Sequence, residues 1–180
     1  MKRRDLLRAA GAAAALAIVP RNAEAAWARV LAGYQAPNGL TPAQRALVTA
    51  IADVILPRSD TPGASDVGVT DWVNLIVAEN YGDEVRTPFL QGLDAIDAQV
   101  RASRGQPFAA LDAAAQAEVV GALDNPPDRR TIEARAFSRL KGLVVYGYFT
   151  SERVQRDVLH SNNFHERFQG AADHPMRRTP

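Results

Sequence analysis

Few residues of this chain have the type and spacing to do chemistry. Its three histidines, His160, His165 and His174, crowd the C-terminal end. His165-Glu166 could begin a metal site, but ligands on one helix recur at three or four residues, and His160 to His165 is five. The three read as surface histidines, and no metal site is expected. The absence of cysteine excludes disulfides, thiolate zinc, iron–sulfur clusters, c-type haem attachment and a thiol nucleophile. Gly63-Ala64-Ser65-Asp66-Val67 misses the G-x-S-x-G nucleophile elbow at its last position. None of the twelve glycines falls into a G-x-G-x-x-G phosphate cradle. The acidic pairs Asp83/Glu84 and Asp94/Asp97 sit where helix starts and solvated faces account for them. No catalytic, cofactor-binding or metal residue is expected.

The chain of 180 residues is 47% apolar and 23% charged, the balance of a single globular domain able to bury its own core. Its net charge is +1, without the basic stripe that phosphate binding needs, so no nucleic-acid partner is expected. The charge is uneven. Met1–Ala25 holds Lys2, Arg3, Arg4, Arg8 and Arg21 against Asp5 and Glu24, a net +3 that leaves −2 on the remainder.

That basic end reads as an address. Lys2-Arg3-Arg4-Asp5-Leu6-Leu7-Arg8 precedes an apolar, alanine-rich run from Ala9 to Val19, then Pro20 and the small-residue site Ala23-Glu24-Ala25. This is the order of an export leader, and a run of about eleven residues is too short for a spanning helix. Arg3 and Arg4 form the recognition pair of the twin-arginine route, and Ala23 and Ala25 mark cleavage. The expected divisions are a leader over 1–25, a helical domain over 26–160 and an irregular tail over 161–180. The expected location is the periplasm, with the twin-arginine translocase as a partner. That route carries folded cargo. A chain with no cofactor motif of its own but with this address fits an escort for a partner that lacks a leader.

Beyond the leader, caps and breakers predict an all-α chain, a compact bundle of five to six helices. Thr41-Pro42-Ala43-Gln44 opens the first, which Pro57 stops. Arg58 to Gly68 is a loop. Thr70 caps a second helix bearing Trp72, Val73, Ile76, Val77 and Tyr81, broken by Gly82 and Asp83. Phe89, Leu93, Ile96 and Val100 stripe a third, with Pro88 near its start. Asp112 caps a fourth, ended by Asn125-Pro126-Pro127. A fifth runs from about Thr131 to Phe149, and Thr150 or Ser151 caps a short sixth with Val154, Val158 and Leu159.

On the fifth helix Phe137, Leu140, Val144 and Tyr148 form a buried stripe. Tyr146 lies about 160° from Val144 and Tyr148. An amphipathic side chain there suits a protein contact, while the plainer reading, and the favoured one, has it lean on the sixth helix. Tyr146, Tyr148, Phe149 and Trp72 are the partner-interface candidates, with core packing as the alternative for Trp72, Tyr148 and Phe149.

The chain resembles the gluconate 2-dehydrogenase subunit 3 family. The resemblance rests on Ile55-Leu56-Pro57, Thr61-Pro62-Gly63-Ala64 running to Gly68-Val69, Gly147-Tyr148-Phe149-Thr150-Ser151-Glu152, and Phe164 to Gly170. It implies the small, non-catalytic subunit of a periplasmic dehydrogenase complex. In such a complex a large GMC-type flavoprotein holds FAD and oxidises a sugar or sugar acid. A cytochrome subunit with haem c passes electrons to the membrane. No cofactor falls in the small subunit. Where such chains often carry cysteine after the final glycine, this one has Ala171. The alternative is a free-standing periplasmic helical protein that binds a ligand or acts as a chaperone.

Overall fold

A computed structural model describes residues 23–160 apart from Gln35 and Asn38. Arg3, Arg4, His165, His174 and the whole 161–180 segment lie outside the described residues. Among the described residues every regular element is helical and none is a strand. The helices are α1 (Ala23–Leu31), α2 (Pro42–Ile55), α3 (Val69–Asn80), α4 (Asp83–Arg104), α5 (Ala113–Asp124), α6 (Ile132–Thr150) and α7 (Glu152–Asp157). Single 3₁₀ turns occupy Ser65–Val67 and Phe108–Ala110.

Local chemistry sets most of these ends. The Thr41 side chain accepts from the Gln44 N–H while the Gln44 side chain accepts from the Thr41 N–H, a reciprocal capping box with Pro42 at the first helical position. Asp112 accepts from the Ala115 N–H at 2.8 Å, Thr131 from Ala134 at 3.2 Å, and Ser151 from Val154 at 3.4 Å. At each of these four starts one orphan donor thus finds a side-chain oxygen, whereas the glycines before α3 and α4 supply none.

Four expectations are corrected. Thr70 does not cap α3. It is already helical, and its Oγ1 pairs with Thr49 Oγ1 at 2.8 Å. Gly68 takes the cap, because the chain leaves the 3₁₀ turn with φ +77°, a conformation that favours glycine. Asp83 begins α4, with Gly82 extended before it. Pro88 lies in the second turn of α4, inside the helix, where it cannot donate an i→i−4 bond. The sixth expected helix, α7, stops at Asp157, so Val158 and Leu159 lie past its end. α1 was not expected at all. It begins within the segment assigned to the leader and crosses the 25/26 boundary as one element.

The core is one cluster drawn from every helix except α5. Trp72, Val73, Ile76 and Val77 of α3 meet Val48 and Ile51 of α2, Leu93 and Ile96 of α4, and Phe137, Leu140 and Val144 of α6. The closest pairing joins α4 and α6, the two longest helices, where Gly92 faces Ala136 and the Ile132 carbonyl. α5 buries no residue. It is tied down by Lys141 Nζ to Asp124 Oδ1 at 2.6 Å and by Gln116 Nε2 to the Phe108 carbonyl at 3.2 Å. Asp94 and Asp97, expected on a solvated face, also hold the frame. Asp94 accepts from Gln44 Nε2 at 2.9 Å, and Asp97 accepts from the Phe108 N–H at 2.9 Å.

Candidate functional site

The 58–68 loop and the α6–α7 corner are more than eighty residues apart in sequence, and they form one surface. Tyr148 Oη donates to the Pro62 carbonyl at 2.7 Å. Arg153 Nη1 donates to the Asp66 carbonyl at 3.1 Å. Within the loop, the Asp66 carboxylate gathers Arg58 and the Gly63 N–H, with Arg58 Nε at 2.7 Å and Gly63 N at 2.8 Å from Oδ2. Asp53 of α2 accepts from the Ser65 N–H at 2.9 Å. Gly63 is obligatory here, since a Cβ would lie 2.9 Å from the Arg58 backbone nitrogen. The loop is therefore fastened at both ends and by Tyr148 from beneath.

The hydrogen bonds from Arg58 and Gly63, with the Arg58 charge beside them, hold the Asp66 carboxyl down at about 2, from an ordinary 3.8. A depressed carboxyl stabilises the folded form above its unfolded value, and this contribution fades as pH falls through the folded one. The loop should thus stay closed at pH 4 and loosen as pH nears about 2. Asp66→Asn should flatten that acid dependence, because the titrating group is gone. Thermal melts of both proteins between pH 5 and 2 check this; equal slopes would contradict it.

Under the corner runs an aromatic stack. Trp27 of α1 lies on Trp72 with centroids 6.2 Å apart and planes at 24°. Tyr146 lies against Trp72 with centroids 5.8 Å apart and planes at 34°. Gly147 lets the Trp72 ring approach the α6 backbone, since a Cβ there would meet Trp72 Cε3 at 2.7 Å. Trp27 Nε1 donates to Thr150 Oγ1 at 3.1 Å, while Thr150 donates onward to the Tyr146 carbonyl at 2.8 Å. Tyr148 and Phe149 meet edge to face at 5.2 Å.

The four interface candidates separate on burial. Trp72 is fully buried and Tyr148 is 3% exposed, so neither has a free surface to offer a partner. Trp27, Gly147 and the Pro62 carbonyl already occupy those contacts. Tyr146 and Phe149 are half-buried and keep an outward edge. Trp27, Asp66, Arg58 and Arg153 were missed by the sequence reading. A signal for Trp27 existed, since it and Trp72 are the only tryptophans. Two of the large exposed apolar side chains, Leu31 and Tyr34, lie at and just past the end of α1, and Leu159 lies just past α7. Both helices adjoin the Trp27–Thr150 hydrogen bond.

Away from this surface, a groove of about 520 Å³ opens between α4, α5 and α6. Ile96, Val100, Val119 and Leu123 line it, and Arg104 and Glu118 pair within it at 2.8 Å. No group of three metal-ligating side chains occurs among the described residues, and no described helix is long and apolar enough to cross a membrane. His160 is exposed, just beyond α7.

Comparison with curated proteins and with solved structures gives no match. The model of the family described as gluconate 2-dehydrogenase subunit 3 matches residues 42–166, well over half of the chain. The matched span contains both halves of the fastened surface.

Proposed function

Because the chain belongs to the gluconate 2-dehydrogenase subunit 3 family, we propose that it is the non-catalytic small subunit of a periplasmic FAD-dependent sugar or sugar-acid dehydrogenase. In this role it carries the twin-arginine leader and escorts the large GMC-type flavoprotein, which has none. FAD belongs to that partner, and haem c to a cytochrome subunit where one joins the complex. The complex holds this chain at the membrane.

The observation that carries the proposal is the fastened surface itself. Asp66, Tyr148 and Arg153 spend their hydrogen bonds on holding a loop in place rather than on a pocket. That is the construction of a rigid docking platform, which lowers the ordering cost of association. Half-buried aromatics at its edge are the side chains that anchor interfaces. Affinity purification of the tagged chain from the periplasm and membrane should recover a large flavoprotein in near-equal amount. Its recovery alone would contradict the escort role.

Tyr146→Ala tests the platform. The ring's outward edge is lost to the partner, and its stacking on Trp72 is lost to the fold. Stability should fall by only about 1 kcal/mol, while the partner is held about 30-fold more weakly. Tyr146→Phe should keep most of both. Melting curves and quantitative co-purification read the two effects separately, and loss of the fold without selective loss of the partner would make Tyr146 a core residue.

A second reading, a free-standing ligand-binding protein, would have the open groove between α4, α5 and α6 as its site. On that reading Tyr146→Ala changes nothing in co-purification, whereas changes at Val119 and Leu123 alter function.

A further inference from the structure

The expected leader boundary falls inside a docked helix. Ala23, Glu24 and Ala25 form the first turn of α1 and continue without a break into Ala26 and Trp27. A peptidase takes its substrate as an extended strand, so that main-chain groups pair with the enzyme and alternate side chains enter pockets. Residues in helical conformation cannot be presented that way. Unwinding one turn at a free helix end is easy, but this end is pinned. Trp27, two residues beyond the Ala25–Ala26 bond, is 5% exposed, stacked on Trp72 and hydrogen-bonded to Thr150 Oγ1. Ala26 is 8% exposed. Presenting Ala23 to Trp27 as a strand requires the indole to leave its slot.

We infer that the folded chain shields its own Ala25–Ala26 bond, so that docking of α1 and removal of the leader exclude each other. The inference rests on the leader reading proposed above. The step withheld is hydrolysis: water adds to the Ala25 carbonyl carbon, the C–N bond breaks, and Ala26 leaves as an amine that takes up the proton. The product is disfavoured too. It would place a new positive charge at the positive end of a helix cut to Ala26–Leu31, beside a buried residue. A chain exported already folded therefore keeps its leader as a tether.

The test uses the full-length chain in detergent with a purified bacterial leader peptidase, reading intact mass. A synthetic peptide of residues 15–34 serves as the undocked reference. The peptide should be cut at Ala25–Ala26, the wild-type chain should resist, and Trp27→Ala should be cut on the order of 100-fold faster than wild type. Thr150→Val, which removes the hydrogen bond from Trp27 together with the hydroxyl's own bond to the α6 backbone and keeps the stack, should give a smaller acceleration, and it decides the matter if Trp27→Ala fails to melt cooperatively. Wild type cut as fast as the peptide overturns the shield and leaves the leader reading standing. Variant rates equal to wild type also overturn the shield. A peptide left intact, or cut elsewhere, overturns the boundary reading and the inference with it.

Discussion

Gly92→Ala is expected to lower the stability of the bundle by about 2 to 3 kcal/mol, whereas Gly121→Ala should raise it by up to about 1 kcal/mol. The exchange is the same and both glycines are inside helices, so intrinsic propensity favours alanine at each. The surroundings reverse the sign at one of them. At Gly121 a new Cβ meets nothing within 4 Å. At Gly92 it would run into the Ala136 side chain and lie 2.8 Å from the Ile132 carbonyl oxygen. That oxygen belongs to the main chain of α6 and cannot rotate away, so the two longest helices would have to separate. With these helices go Leu93, Ile96, Phe137 and Leu140, all essentially inaccessible in the native fold. Denaturant titration with unchanged slope checks the pair, and a stabilised Gly92→Ala would show that the α4–α6 crossing is not the close approach described.

The elements visible in the sequence are those whose causes are local. Thr41-Pro42-Ala43-Gln44, Asp112 and Ser151 place their caps through contacts three residues away, and each helix starts where its cap predicts. Thr70 was the wrong start because residue type alone does not reveal a left-handed backbone at Gly68 two residues earlier. Pro88 was tolerated deeper than expected because α4 is held along its length by Phe89, Leu93, Ile96 and Val100. α1 escaped notice for a different reason. An alanine-rich segment with a small-residue site satisfies a leader and a helix equally, and only Trp72, 45 residues on, shows what Trp27 is for.

The candidate surface was legible as two motifs and not as one place. Tyr148 on the buried stripe and Tyr146 off it follow from helical spacing. The hydrogen bond from Tyr148 to Pro62 spans 86 residues, and no local rule contains it. Nor could the stripe distinguish a buried anchor such as Trp72 from an aromatic that keeps an outward edge. The difference depends on α1 and on Gly147, which together enclose one indole and leave the neighbouring phenol half-covered.

The escort role makes its sharpest demand on Arg3 and Arg4. Their guanidinium groups are permanently charged, planar and multidentate, and lysine reproduces the charge without the geometry. Arg3→Lys with Arg4→Lys therefore keeps the +3 of residues 1–25 and leaves the apolar run from Ala9 to Val19 unaltered. Cells carrying the double variant are fractionated, and the dehydrogenase activity of the proposed flavoprotein partner is assayed in cytoplasm and periplasm. The account predicts that both proteins stay in the cytoplasm and that periplasmic activity drops to the level of cells lacking this chain. Periplasmic activity of the flavoprotein at the wild-type level, with this chain alone held back, would contradict it.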